Sequence, residues 1–194
     1  MPRFGPQTRP HFDALYQTAS AQEGLFSAEQ AEAAGYSLPL LAYHLKAGKI
    51  ARVSRGIYRL VHFPPSEHED LVALWLWSKQ EGVFSHETAL GLHHLSDALP
   101  SRVHVTLPES WQGRRLRVPK LLRLHYGDVP PSERAWVGAV PVTNPARTLN
   151  DCAAGNVAAE FVIQALRQGL QRGLFSTEEV APAERYVAKY GTGG

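Results

Sequence analysis

Four glycines cut the first sixty residues into short lengths: Gly24, Gly35, Gly48 and Gly56. In residues 12–22 (FDALYQTASAQ), Phe12, Leu15, Tyr16 and Ala19 recur at helical spacing. Ser27 with Gln30 three residues later is a capping-box pattern, so AEQAEAA is expected as a second helix. Ser37 caps a third, LPLLAYHLKA, with Pro39 in its first turn, where a missing N–H costs nothing. On this helix Leu38, Leu41 and Leu45 are expected inward and Leu40, Tyr43 and Lys46 outward, with His44 at the edge of the core face. Residues 50–54 and 57–61 then read as two extended runs, and Gly56 supplies the permissive backbone their turn wants. Helix, helix, helix and hairpin within about 62 residues is the pattern of a winged helix-turn-helix.

Charge follows the same division. The whole chain has a formal charge of only +2, but residues 1–62 hold 7 Lys/Arg against 4 Asp/Glu, while the remainder holds 13 against 14. Between Tyr43 and Arg59 stand Lys46, Lys49, Arg52, Arg55 and Arg59, with no acidic residue. Such a strip suits a DNA backbone. Lys49, Arg52, Arg55 and Arg59 are expected on phosphates, Tyr43 and Lys46 at base edges, and Leu40 against a thymine methyl. A solvated basic face, or a protein-interaction module of the same shape, is the alternative. The partner implied is double-stranded DNA.

HFPPSE at 62–67 marks a boundary, since two prolines resist both helix and central strand. We therefore expect a domain at 1–62 and a second at 66–194, the latter mixed α/β with a small sheet, so that the chain as a whole is α+β. In the second domain DLVALWLWSKQ is an apolar helix, Ser85 is an N-cap, and RVHVTL (102–107), LLRLHY (121–126) and WVGAVPVT (136–143) are extended. Further helices follow in ARTLNDCAA, in 157–171, where Phe161, Ala165 and Leu166 should point inward, and in 177–190. A second basic cluster, Arg114, Arg115, Arg117, Lys120 and Arg123, follows Trp111. Basic residues beside an aromatic suit contact with a nucleic acid or a partner protein; a hairpin loop with a solvated charged tip is the plain reading.

Enzyme signatures are weak. Ser85-His86-Glu87 resembles a nucleophile with its base, but adjacent helical residues project about 100° apart. His93-His94 lacks a spaced set of partners. His104 and His125 could face one another across a sheet, with no third ligand in view, so neither a metal nor a cofactor is expected. Asp97, Glu109 and Asp128 would be the carboxylates of a metal-dependent nuclease, without the lysine that usually accompanies them. No phosphate-binding glycine loop occurs. Arg147 and Asp151 suit an intrahelical ion pair. The single cysteine, Cys152, sits in an apolar context and reads as structural. One cysteine, no secretory leader and no long apolar run together lead us to expect a cytoplasmic protein without a membrane span.

Three segments, GYSLPLLAYHLKAGKIARVSRGIYRL, SHETALGLHHLSDALPSRVHVTLPE and VPVTNPARTLNDCA, resemble in order and separation the AbiEi family, antitoxins of type IV toxin-antitoxin systems. The resemblance implies a winged helix that binds inverted repeats in its own promoter as an autorepressor. It also implies a C-terminal domain that neutralises a nucleotidyltransferase-like toxin, without a stable complex being required, and no catalytic activity. Carried onto this chain, the DNA-facing positions are Tyr43, Lys46, Lys49, Arg52, Arg55 and Arg59, with Tyr58 packing beneath the wing. The chain departs from the family in the first turn of its recognition helix, where Leu38, Pro39 and Leu40 replace more polar residues. A regulator with a ligand- or partner-sensing C-terminal domain and no toxin is the alternative, and a metal-dependent nuclease the second.

Overall fold

The computed structural model describes residues 9–190. The chain divides into two compact units, residues 1–80 with 138–140, and residues 81–137 with 141–194. Helices and two small sheets make it α+β. Among the described residues, no helix is long and apolar enough to cross a membrane.

The first unit runs α1 (Phe12–Ser20), β1 (Leu25–Ser27), α2 (Ala28–Ala33), α3 (Leu38–Lys46), β2 (Ile50–Ser54), β3 (Ile57–Leu60) and α4 (Glu69–Trp77). Local chemistry sets most of these ends. The capping box at α2 forms in both directions: Gln30 N–H donates to Ser27 Oγ at 3.1 Å and Ser27 N–H to Gln30 Oε1 at 2.8 Å. Ser37 Oγ accepts from Leu40 N–H at the start of α3. Strand β1 was not legible in the sequence. Three residues carry no period, and the strand exists because Leu25, Phe26 and Ser27 pair with Arg59, Tyr58 and Ile57. The antiparallel sheet is thus three-stranded, in order β1-β3-β2. Its core is Leu15, Ala19, Phe26, Ala31, Tyr36, Leu41, Ile50, Tyr58 and Leu60, with Phe26 and Tyr58 stacked at 5.8 Å. Gly24 (φ +84°) is required twice over: the backbone is left-handed, and a Cβ would stand 2.6 Å from the Phe63 ring.

The prolines at 64 and 65 break regular structure, but the compact unit continues past them. Helix α4 packs on β1 and β3 of the first unit. Val72, Trp75 and Leu76 are its buried face, and Glu69 reaches back to Arg59. The unit therefore ends near residue 80 rather than 62, because the apolar face of α4 covers a sheet that would otherwise be exposed. A buried amide, Gln22, is bonded to Gln30 and Gln80 and ties the two ends together.

The second unit contains β4 (Val83–Phe84), α5 (His86–Leu92), β5 (Val103–Leu107), β6 (Leu122–Tyr126), β7 (Arg134–Val137), β8 (Val140–Thr143), α6 (Pro145–Ala154), α7 (Ala159–Gln171) and α8 (Ala181–Ala188). The sheet order is β6-β5-β4-β8-β7. The run 136–143 is two strands, split by a turn at Gly138. Strands β5 and β6 pair in parallel, Val103 with Leu122 through Leu107 with Tyr126. The basic segment between them is therefore a crossover, not a hairpin tip. Helices α6, α7 and α8 with α5 enclose Leu90, Leu149, Cys152, Val162, Ala165, Leu166, Phe175 and Tyr186. On α7 the buried stripe takes Val162, Ala165 and Leu166, and Phe161 lies at its edge. Cys152 is fully buried, and burial pushes its thiol pKa up.

Candidate nucleic-acid interface and a histidine cluster

On α3 the inward stripe centres on Leu41, with Leu40, His44 and Leu45 half-buried beside it. Leu40, expected outward, is half-buried and packed against the core. Leu38, expected inward, is instead 70% exposed. Leu38 is the first helical residue, at the end of α3, and is not part of the core that Leu41 enters. The exposed apolar side chain of the first turn is thus Leu38. His44 sits against Tyr36 at 5.7 Å, and burial, then Lys49, lowers its pKa. It is a boundary histidine.

Tyr43, 62% exposed, and Lys46 stand on the outward side of α3. Lys49, Arg52 and Arg55 continue outward along the connection, β2 and the turn. The turn is made by Gly56 at φ +77°. Tyr58 is buried beneath, with the Arg52 guanidinium 5.9 Å from its ring. Arg59 does not join this row. Its side chain is 17% exposed, its Nε lies 2.8 Å from the Glu69 carboxylate, and its Nη2 donates to Phe63 O at 2.8 Å. Arg59 pairs with Ala51 across β2–β3 and with Leu25 across β1–β3, so it is a central-strand residue occupied with holding α4.

Arg114, Arg115, Arg117, Lys120 and Arg123 are all exposed on or near the β5–β6 crossover, and the Arg114 guanidinium lies 4.8 Å over Trp111. Of the carboxylates considered for a nuclease, Asp97 accepts from Gln164 at 2.6 Å, and Asp128 from Glu109 N–H at 3.3 Å. His93 donates to Thr143 O at 2.7 Å. Arg147 pairs with Asp151 at 2.7 Å and also with Glu133.

Sequence reasoning found no third partner for His104 and His125, and the fold supplies it. His104 Nδ1 and His125 Nε2 stand 3.2 Å apart across the parallel pair, and His86 stacks on His125 with centroids 3.6 Å apart. Ser85 holds the N-cap position of α5, but its side chain makes no capping bond. Its buried hydroxyl lies 2.9 Å from His86 Nδ1 and accepts from Thr106 Oγ1 at 2.8 Å. The 100° rule fails for this pair because Ser85 precedes the helix and His86, its first residue, lacks helical dihedrals. Ser85 is extended (φ −147°, ψ −179°) and His86 is left-handed (φ +51°). No periodicity signals that conformation. Burial foremost, then the neighbouring rings and Arg123, lowers His86 to about 3 and His104 to about 4, so both are neutral at pH 7.

Residues 13–61 match the model of a family described as transcriptional regulator, AbiEi antitoxin, a match confined to the first unit. No curated protein matches the chain. Among solved structures the chain is similar to the RV2827C protein from Mycobacterium tuberculosis, at 13% identity over 92% of this chain and 76% of that one, with a TM-score of 0.46. At that level neither structural detail nor function transfers. Over the segment from α1 to β3, then, the chain is similar to the AbiEi antitoxin family of transcriptional regulators.

Proposed function

We propose that the chain is the DNA-binding antitoxin of a type IV toxin-antitoxin system, acting in the cytoplasm, repressing its own promoter and opposing a nucleotidyltransferase-like toxin. The observation that carries this reading is the row Tyr43, Lys46, Lys49, Arg52 and Arg55. These side chains are exposed in sequence order along one helix, one strand and one turn, within the segment that matches the family. Lys and Arg on phosphates supply affinity without sequence information. Readout is left to Tyr43, Lys46 and the exposed Leu38 on the helix that enters the major groove. An inverted repeat presents two half-sites and takes two protomers. The role assigned to the second unit is antitoxin action without catalysis.

A gel-shift titration against the DNA upstream of its own gene, with random competitor and stepped salt, tests the first half. A specific, steeply salt-dependent shift is expected; an equal affinity for random DNA would remove the operator reading. Co-expression with the neighbouring gene tests the second half. Growth arrest relieved by the full chain supports the antitoxin role, and a neighbour without toxicity would leave a regulator.

A further inference from the structure

His86, His104 and His125 come from three elements of the second unit, the start of α5, β5 and β6. One ring nitrogen of each lies within 4.8 Å of the others. Zinc holds imidazole nitrogens at about 2.0–2.1 Å, which at a tetrahedral angle puts two of them roughly 3.3 Å apart. The His104–His125 separation of 3.2 Å already meets that spacing. The outward nitrogens of two rings are tied. His104 Nε2 faces the Glu87 carboxylate at 3.3 Å, an acceptor that holds the hydrogen on Nε2 and leaves Nδ1 bare toward the cluster. His86 Nδ1 lies 2.9 Å from Ser85 Oγ, and in the tautomer that carries its hydrogen on Nδ1 the Nε2 is likewise bare. A carboxylate or hydroxyl behind the imidazole is how proteins orient metal-ligating histidines.

Two further features point the same way. His86 is held at φ +51°, a conformation that strains a residue with a Cβ and that gathers at functional sites. Gly155 leaves the ring its room, since a Cβ there would stand 3.1 Å from His86 Cδ2 and 3.4 Å from Nε2. The cluster opens into a pocket of about 310 Å³ that Thr106, Tyr126, Arg147 and Asp151 also line. The charge of Arg147 is balanced by Asp151 and Glu133.

We propose that His86, His104 and His125 form a site for a divalent transition-metal ion of the zinc class, with a fourth coordination position open to the Arg147 pocket. All-imidazole donors select zinc, cobalt, nickel or copper over magnesium and calcium. Three protein ligands with an open position distinguish a reactive site from a closed structural one. His86 and His125 stand nearly parallel, at 14°, so binding turns one ring about its Cβ–Cγ bond to aim both nitrogens at one point.

The test is a titration of the chelator-stripped full chain with Co²⁺, read by its visible absorption. A band that saturates at one equivalent and is displaced by Zn²⁺ is expected. His104→Ala and His125→Gln should abolish it. Glu87→Gln should weaken it by about 10–100-fold, and His62→Ala, at an exposed histidine outside the cluster, should leave it unchanged. A wild-type chain with no saturable band overturns the proposal, whatever the variants do. So does a band that survives both ligand substitutions in protein shown folded by circular dichroism. Neither outcome involves DNA, so the proposal stands or falls separately from the operator reading.

Discussion

Arg55 and Arg59 lie four residues apart on one hairpin and have opposite tasks. Arg55 is exposed at the turn, whereas Arg59 is bound to Glu69 and to the carbonyl of Phe63. Arg55→Ala should weaken DNA binding about equally on all sequences and lower the slope of log K against log salt by about one. Arg59→Ala should leave that slope alone. It should instead destabilise the fold by about 1–3 kcal/mol, since the Glu69 carboxylate loses its partner, and a urea melt reads this directly. Equal effects of the two on the salt slope would mean that Arg59 is released on binding. Tyr43→Ala should act differently from both, compressing the ratio of operator to random affinity with little change in salt dependence, as competition gel shifts would show.

At the scale of elements, the glycines separate conformational need from steric need. Gly56 and Gly24 are both left-handed, but nothing lies within 4 Å of a Cβ on Gly56, while one on Gly24 meets Phe63. Gly56→Ala should cost about 1–2 kcal/mol, the backbone penalty alone. Gly24→Ala should cost more, by about a further 1–3 kcal/mol of overpacking. Denaturant midpoints of the two variants rank them, and a Gly24→Ala as mild as Gly56→Ala would show that Phe63 moves aside. The helix caps were readable because they are local: Ser27, Gln30 and Ser37 act within three residues of their own position. Strand β1 was not, because its partners lie some thirty residues on, and the parallel pairing of β5 with β6 leaves no mark in either strand's alternation.

For the whole molecule, the consequence of α4 is a boundary moved from the prolines to residue 80. A fragment ending at residue 62 should melt without cooperativity, its β1–β3 face uncovered, while one ending at 80 should show a sigmoidal transition in thermal circular dichroism. Cooperative melting of the shorter fragment would return the boundary to HFPPSE. The basic row on α3, β2 and their turn was legible from residue types and spacing, since exposure of Lys46, Lys49, Arg52 and Arg55 follows from a short helix and hairpin that must each bury one apolar face. Two kinds of fact lay beyond that reach. Which arginine is spent internally depended on Glu69 arriving from another helix. That three histidines share one point depended on a parallel strand pairing and on a left-handed backbone at His86. Periodicity, caps and turns are set by neighbours in the chain and can be read from it. Ion pairs, registers and side-chain clusters between distant segments are set by which apolar faces meet, and that is decided only when the chain is packed.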